Sequence, residues 1–111
     1  MSLEARQLVS YETASNRIPF DEWIKNLKDH KGQTVILARL RRFAVTGHPG
    51  DHKSIGDGVY ELRIHFGPGY RVYYGEDGMT VVLLLCGGDK STQRRDLERA
   101  QAYWQDYRSR R

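Results

Sequence analysis

The sequence is poor in cysteine and proline, and it lacks long apolar runs. Its single cysteine, Cys86, cannot form an internal disulfide, and its three prolines leave most of the chain free to form helices and strands. The longest apolar run, Val81 to Cys86, has the length of a buried strand and is far shorter than the ~20 residues of a membrane-spanning helix. Neither a disulfide framework nor a membrane span is therefore predicted.

The first residues, MSLEARQ, contain no apolar h-region and no small-residue cleavage site. This pattern favours a protein that is not secreted. A reduced, buried thiol at Cys86 fits the same compartment, so the expected location is the cytoplasm.

The chain has 111 residues, of which 39% are hydrophobic and 29% are charged. This composition is typical of a globular protein and not of a disordered one. The length is enough for one hydrophobic core and too short for two. A single domain spanning residues 1–111 is therefore expected.

Positive charge is concentrated towards the C-terminus. The formal net charge is +4, and residues 90–111 hold seven lysines and arginines against three acids, whereas residues 1–89 hold eleven of each sign. A basic segment of this kind suggests a polyanionic partner such as nucleic acid. A solvated basic helix face would produce the same count.

The first half of the chain is predicted to form a short strand followed by a helical hairpin. The alternation in LVSYE, residues 8–12, suits a strand. Pro19 fits the first turn of a helix that ends near residues 30–32, since apolar residues recur at i, i+3, i+4 and i+7 after it. A second helix is predicted from about Gln33 to Thr46, with Gly47 as its C-cap.

The second half begins with a predicted loop and continues as an antiparallel meander. Residues 48–58, HPGDHKSIGDG, are rich in turn-forming residues. From Val59 the hydrophobic period falls to two, which predicts three strands joined by turns at residues 67–69 and 77–78. The third strand ends at Cys86, and we expect it to be central because it is apolar at every position.

A last helix is predicted from Ser91 or Thr92, either of which can cap it. The order of elements is then one strand, two helices, three strands and one helix. This order indicates an α+β fold in which a helical hairpin and a C-terminal helix pack on a small twisted antiparallel sheet.

The hairpin ELRIHFGPGYRVYY, residues 61–74, gathers ionisable side chains on one strand face. A three-residue turn at residues 67–69 would place His65 opposite Arg71 and Arg63 opposite Tyr73. The two arginines would then be diagonal neighbours, within about 7 to 8 Å of each other. Guanidiniums this close repel each other, so a phosphate between them is the expected ligand. The alternative is that Glu61 and other acids neutralise the arginines on a solvated face.

Lys90 follows the third strand in the segment GGDKST and is expected at the same end of the sheet as these arginines. The segment is not a phosphate-binding P-loop, because Asp89 stands where that motif needs glycine. Arg94 and Arg95 fall in the first turn of the last helix, where the helix dipole disfavours cations. Their position suggests that they serve a partner.

The segments ELR, GPGYRVYY and GGDKSTQ, with HPGDHKSIGDGVYELR, resemble the HigB-type addiction module killer branch of the RelE/ParE toxin superfamily. The resemblance extends from about Pro19 to Ala102. It implies a RelE-like fold and the toxin of a type II toxin–antitoxin pair, most often an mRNA interferase that cuts messages in the ribosomal A site. The implied partners are the ribosome with its mRNA and a small helix-turn-helix antitoxin, through which alone operator DNA would be bound. Neither a membrane partner nor any metal or other cofactor is expected.

The resemblance assigns Arg63 and Arg71 to the scissile phosphate. Lys90 would stabilise the charge of the transition state or protonate the leaving group. The catalytic tyrosine near the C-terminus of RelE itself has no clear counterpart, because the equivalent helix turn holds residues 95–97, RDL.

The proton acceptor for the 2′-hydroxyl stays open among three side chains, Glu61, His65 and Tyr73. Glu61 stands where some RelE relatives have lysine. The residues expected to contact RNA are Lys53, His65, Tyr73, Arg94 and Arg95.

Two other functions are compatible with the same superfamily. One is a ParE-like toxin that acts on DNA gyrase by binding and not by catalysis, since the fold alone does not separate the two. The other is an inactive relative kept as a regulatory partner of its antitoxin. The basic cluster of Arg63, Arg71 and Lys90 favours the nuclease, because a ParE-like toxin would leave that cluster unexplained. The intact cluster is also mild evidence against an inactive relative.

Overall fold

In the computed structural model, which describes residues 5–110, three α-helices and five strands form an α+β structure, so the predicted fold class is confirmed. The elements in chain order are β1 (Gln7–Ser10), α1 (Pro19–Asn26), α2 (His30–Thr46), β2 (His52–Gly56), β3 (Val59–Ile64), β4 (Tyr70–Asp77), β5 (Val81–Asp89), a 3-10 turn (Lys90–Thr92) and α3 (Gln93–Ser109).

The five strands form one sheet with the order β1-β5-β4-β3-β2. Strand β1 pairs in parallel with β5, and the other neighbouring strands pair antiparallel. The sheet is therefore mixed, whereas the sequence predicted an antiparallel sheet. Strand β5 lies between β1 and β4, which confirms its predicted central position. Its apolar run follows from this position, because both of its faces are covered.

Strand β2 lies within residues 48–58, where the sequence predicted only a loop. It pairs with β3 at the edge of the sheet, and most of its residues are exposed. An exposed edge strand has no hydrophobic face, so the alternation that identifies other strands is missing. The prediction of a loop was therefore wrong for residues 52–56.

Helices cover both faces of the sheet. One face packs against α1 and α2 through a cluster that includes Phe20, Ile36, Leu40 and Phe43 of the helices. The other face packs against α3 through a second cluster that includes Ala100 and Trp104. The face that carries the ionisable side chains of the hairpin is thus largely covered by α3, and this determines which of those side chains reach solvent.

The helix boundaries differ partly from those predicted. Helix α1 ends at Asn26, before residues 30–32, because Asp29 caps a new helix by accepting a hydrogen bond from the Gly32 amide at 2.9 Å. Helix α2 ends at Gly47 in a left-handed conformation with φ of 78°, as predicted. Thr92 is the N-cap residue of α3, but its side chain makes no capping hydrogen bond.

No helix within residues 5–110 combines the length and the apolar character needed to cross a lipid bilayer.

The β3–β4 hairpin has a longer connection than predicted, covering residues 65–69. Ile64 therefore pairs with Tyr70, and Arg63 pairs directly with Arg71. The predicted pairs of His65 with Arg71 and of Arg63 with Tyr73 were wrong. The error amounts to two residues, and a shift of two leaves every side chain on its predicted face of the sheet.

Two strand glycines allow tryptophan rings to lie directly on the sheet. A Cβ atom at Gly87 would lie 2.2 Å from Cε3 of Trp23 in α1, and one at Gly75 would lie 2.3 Å from Cε3 of Trp104 in α3. Neither distance is compatible with a side chain. The two rings press on the sheet from opposite faces and so determine how closely α1 and α3 approach it.

We predict that Gly87→Ala lowers the free energy of unfolding by about 1–3 kcal/mol, because the new methyl group overlaps the Trp23 ring. Trp23→Phe removes the overlapping ring atoms, so the double variant should lose less stability than the sum of the two single variants. Urea unfolding followed by circular dichroism measures all four proteins. If the losses of stability in the two single variants simply added up in the double variant, the contact between Gly87 and Trp23 would not limit how closely α1 packs on the sheet.

Candidate active site

A cleft of about 460 Å³ lies at the end of the sheet where the β3–β4 loop meets the end of β5. Because β3, β4 and β5 are neighbours in the sheet, side chains from β3, from β4 and from the 3-10 turn that follows β5 reach this end together. Its lining residues include the basic side chains of Arg63, His65, Arg71 and Lys90, together with Tyr70, whose hydroxyl donates to Asp29 and has a pKa raised to about 12 by burial and by Asp29. The structure thus brings together four of the residues selected from the sequence.

Arg63 and Arg71 lie directly opposite each other in the antiparallel pair of β3 and β4. They were expected to be diagonal neighbours, and direct opposition places them closer, since opposed Cβ atoms lie about 4.5–5.5 Å apart. Like charges in this arrangement destabilise a sheet. Each arginine is accompanied by a carboxylate, and the two carboxylates differ in burial.

Arg71 is paired with the buried carboxylate of Glu61. The Arg71 Nε atom lies 3.4 Å from Glu61 Oε2 without a well-formed hydrogen bond, and Arg71 Nη1 donates to the Gly69 carbonyl at 2.8 Å. The Arg71 side chain is only 13% exposed. These contacts hold its guanidinium in one place at the wall of the cleft.

Glu61 and Tyr73 lie beneath α3 and do not line the cleft. Glu61 is 1% exposed and Tyr73 is 0% exposed. The Glu61 Oε2 atom accepts hydrogen bonds from the Tyr73 hydroxyl at 3.1 Å and from Gln93 Nε2 at 2.8 Å. Burial, followed by the charge of Glu61, raises the pKa of Tyr73 far above its usual range, so this hydroxyl remains a hydrogen-bond donor.

Glu61 and Tyr73 were selected as candidate proton acceptors, but the packing of α3 against this face of the sheet buries both. Gln93, the first residue of α3, makes the covering contact. Sequence reasoning placed Gln93 in the helix but could not show which strand residue it would meet. Glu61 therefore holds Arg71 in position through an ion pair on the side away from the cleft, and the Tyr73 hydroxyl orients Glu61 through a hydrogen bond.

Asp51 is a site residue that sequence reasoning missed. Its Oδ1 atom accepts from Arg63 Nη2 at 3.0 Å, and its Oδ2 atom lies 2.5 Å from His65 Nε2. The hydrogen bonds from His65 and then Arg63 hold the pKa of the Asp51 carboxyl below its usual range. The sequence did not reveal this contact, because the pairing of β2 with β3, which brings Asp51 to Arg63, was not predicted.

Arg39 of α2 holds the chain around Asp51 in position. Its Nε atom donates to the Pro49 carbonyl at 2.8 Å, its Nη2 atom to the Asp51 carbonyl at 2.9 Å, and its Nη1 atom to the Arg63 carbonyl at 2.9 Å. The Arg63 amide also donates to the Asp51 carbonyl at 2.9 Å. These bonds join the segment before β2 to β3, so the Asp51 carboxylate extends from an anchored backbone.

Comparison with known proteins identifies the family. Residues 22–104 match the family model described as Phage derived protein Gp49-like (DUF891). The chain belongs to the Gp49-like family. This family is toxin-like and related to RelE and HigB, and a toxin of this kind implies an antitoxin partner.

The Gp49-like chain also resembles a protein of Haemophilus influenzae described as uncharacterized. The two are 45% identical over 89 residues, which are 80% of this chain and 89% of that protein. The family match includes Arg63, Arg71 and Lys90, so the cleft lies within the region that the family shares.

Besides Tyr73, three other residues expected to bind RNA lie outside the cleft of this Gp49-like protein. Lys53 is exposed on β2 as the cross-strand partner of Glu61. Arg94 and Arg95 are exposed on α3 and line a separate shallow depression of about 340 Å³. Their contact with RNA remains a prediction. No group of three or more His, Cys, Asp or Glu side chains suited to a metal ion occurs within residues 5–110.

We predict that Arg71→Ala lowers the free energy of unfolding by about 3 kcal/mol, because it leaves Glu61 as a buried carboxylate without its cation. Adding Glu61→Gln removes that charge and should recover part of the loss. Arg63→Ala should cost less, since its partner Asp51 is 38% exposed. Urea unfolding compares the variants, and equal losses for both arginines would contradict the role assigned to Glu61.

Proposed function

We propose that this Gp49-like protein is the HigB-like toxin of a type II toxin–antitoxin pair and that it inhibits translation by cutting mRNA on the ribosome. One observation carries the proposal. Arg63 and Arg71 lie directly opposite each other and line one open cleft together with Lys90. Each arginine has a carboxylate partner, but an anion bound between them would explain why three cations surround one open cleft.

The charges around the cleft suit a phosphodiester. Arg63 and Arg71 are each paired with one carboxylate, Asp51 and Glu61, whereas Lys90 makes no ion pair with a residue within 5–110. Guanidinium groups bind phosphate oxygens through paired hydrogen bonds with fixed geometry. Because the carboxylates already hold both arginines, little reorganisation is needed when RNA binds.

The same cations support cleavage through the 2′-hydroxyl of the RNA. Attack of this oxygen on the adjacent phosphorus increases the negative charge on the phosphoryl oxygens, and preorganised cations stabilise that charge. Arg63 and Arg71 are assigned to these oxygens, and Lys90 to the same charge or to protonation of the 5′-oxygen. The reaction also needs a proton acceptor. Of Glu61, His65 and Tyr73, only His65 lines the cleft.

The ribosome supplies what the cleft lacks. The cleft is small and has no extended aromatic platform of the kind found in proteins that bind single strands by themselves. Presentation of the message in the A site would orient the 2′-hydroxyl for attack and so lower the barrier. In this proposal the toxin acts in the cytoplasm, binds a helix-turn-helix antitoxin and reaches operator DNA only through it.

The test is induction of the chain in cells without its antitoxin, followed by mapping of new 5′ ends in cellular mRNA. We expect in-frame cuts within translated regions. The variants Arg63→Ala and Lys90→Met should lower cutting by ~10² or more, because each removes a cation from the developing charge. The matched control is Arg41→Ala, which removes an exposed arginine of α2 outside the cleft and should cut like the wild type.

Growth arrest with intact messages would reject the nuclease and lead to a gyrase supercoiling assay for ParE-like action. Undiminished cutting by folded Arg63→Ala and Lys90→Met variants would instead reject the assignment of the cleft. Circular dichroism and binding to the antitoxin confirm that each variant is folded.

A further inference from the structure

We infer that His65 is the general base of this site and that Asp51 is the residue that positions it. The inference rests on the proposed function and deepens it, since it assigns the proton that leaves the 2′-hydroxyl. The observation behind it is the contact of one carboxylate with two cleft residues, Arg63 and His65. The contact with Arg63 offsets the repulsion between the two arginines, whereas the contact with His65 does not, so the second contact needs another explanation.

The hydrogen bond between Asp51 and His65 determines which ring nitrogen is free. The Asp51 carboxyl has a lowered pKa and is ionised at neutral pH, so it only accepts hydrogen bonds. The His65 Nε2 atom, 2.5 Å from Asp51 Oδ2, must therefore carry the hydrogen. In the neutral ring, Nδ1 is left with a lone pair, which is the form that a general base requires.

The position of the ring suits contact with substrate. The His65 side chain is 77% exposed and lines the same cleft as Arg63, Arg71 and Lys90. A phosphodiester bound by the two arginines would have its neighbouring ribose within the same cleft. Asp51 then has two roles, because it fixes the ring orientation and stabilises the imidazolium that forms when Nδ1 takes a proton.

The other candidates for the base fail on geometry or chemistry. Glu61 is buried, and its Oε2 atom is already bonded to Tyr73 and Gln93. Tyr73 is fully buried and protonated. Lys90 lines the cleft, but its ammonium group has no lone pair to accept a proton. Lys90 is instead suited to donate one.

Cleavage would move two protons and exchange one bond at phosphorus. The 2′-hydroxyl proton passes to His65 Nδ1, and the 2′-oxygen forms a bond to phosphorus. The bond from phosphorus to the 5′-oxygen breaks, and this oxygen takes a proton from the Lys90 ammonium group. The products are a 2′,3′-cyclic phosphate and a 5′-hydroxyl, and solvent then restores the protonation of both side chains.

The test uses full-length protein and ribosomes programmed with a synthetic mRNA that contains the cut position mapped in cells. Single-turnover rates are measured for the wild type, His65→Gln, His65→Ala, Asp51→Asn and Lys90→Met. Each protein is assayed on the ordinary linkage and on a linkage with sulfur in place of the 5′-oxygen. A thiolate leaves without protonation, so this substrate needs a base but no acid.

We expect His65→Gln to cut ~10² or more times slower than the wild type on both substrates, because loss of a general base affects both. Lys90→Met should be slow on the ordinary linkage and largely restored on the sulfur linkage. Added imidazole should partly restore His65→Ala, which a purely structural role for His65 would not allow. Restoration of His65→Gln by the sulfur linkage would make His65 the acid and would overturn its assignment as base.

The variant Asp51→Asn tests whether Asp51 acts on the His65 ring or only alters the net charge of the cleft. It should cut about tenfold or more slowly, because the amide no longer fixes the ring or stabilises imidazolium. Its binding to ribosomes should not weaken, since the substitution removes a negative charge beside Arg63. Undiminished or faster cutting by this variant would overturn the role of Asp51.

The experiment distinguishes failure of the proposed nuclease function from failure of the role assigned to His65. If the wild type does not cut translated mRNA, the proposed function fails. If the wild type cuts and His65→Gln cuts equally well, the nuclease stands and the assignment of His65 is rejected.

Discussion

The repulsion between two arginines at directly opposed positions of β3 and β4 is the constraint on which the rest of the site depends. Arg63 and Arg71 face each other because β3 and β4 pair in one register. The fold balances them with carboxylates at two different depths. Glu61 behind Arg71 is almost fully buried, whereas Asp51 beside Arg63 is partly solvated. One guanidinium is consequently fixed and the other is more accessible.

Burial of Glu61 links the site to the hydrophobic core. Gln93 at the start of α3 binds this carboxylate, and the rest of α3 packs against the sheet through Ala100 and Trp104. An ionised group at this depth is tolerated only because hydrogen bonds and the Arg71 cation surround it. The packing of α3 and the placement of a cleft cation are therefore parts of one structure.

Asp51 connects the same site, through Arg39, to the helices α1 and α2 on the other face of the sheet. Arg39 extends from α2, which packs on the other face of the sheet, and bonds to the carbonyl groups on either side of the β2–β3 edge. The edge strand β2 is short and mostly exposed, so these bonds give it an anchor that its own burial does not provide. The cleft is thus supported by the helical hairpin through Asp51 and by α3 through Glu61.

The sequence by itself determined the local features of this protein. Periodicity identified β3, β4 and β5, the glycine at position 47 ended α2, and alternation placed Arg63 and Arg71 on one face. Membership of a toxin-like family was also evident from the sequence, because its motifs are local. Each of these features depends on a few neighbouring residues.

Only the tertiary structure decided what covers that face. Glu61 and Tyr73 are buried because α3 crosses them, and Asp51 meets Arg63 because an edge strand pairs where turn residues suggested a loop. The alternation of side chains along a strand predicts which of them share a face of the sheet. Whether solvent or another element covers that face depends on packing between segments that are distant in the chain, and no local pattern records it.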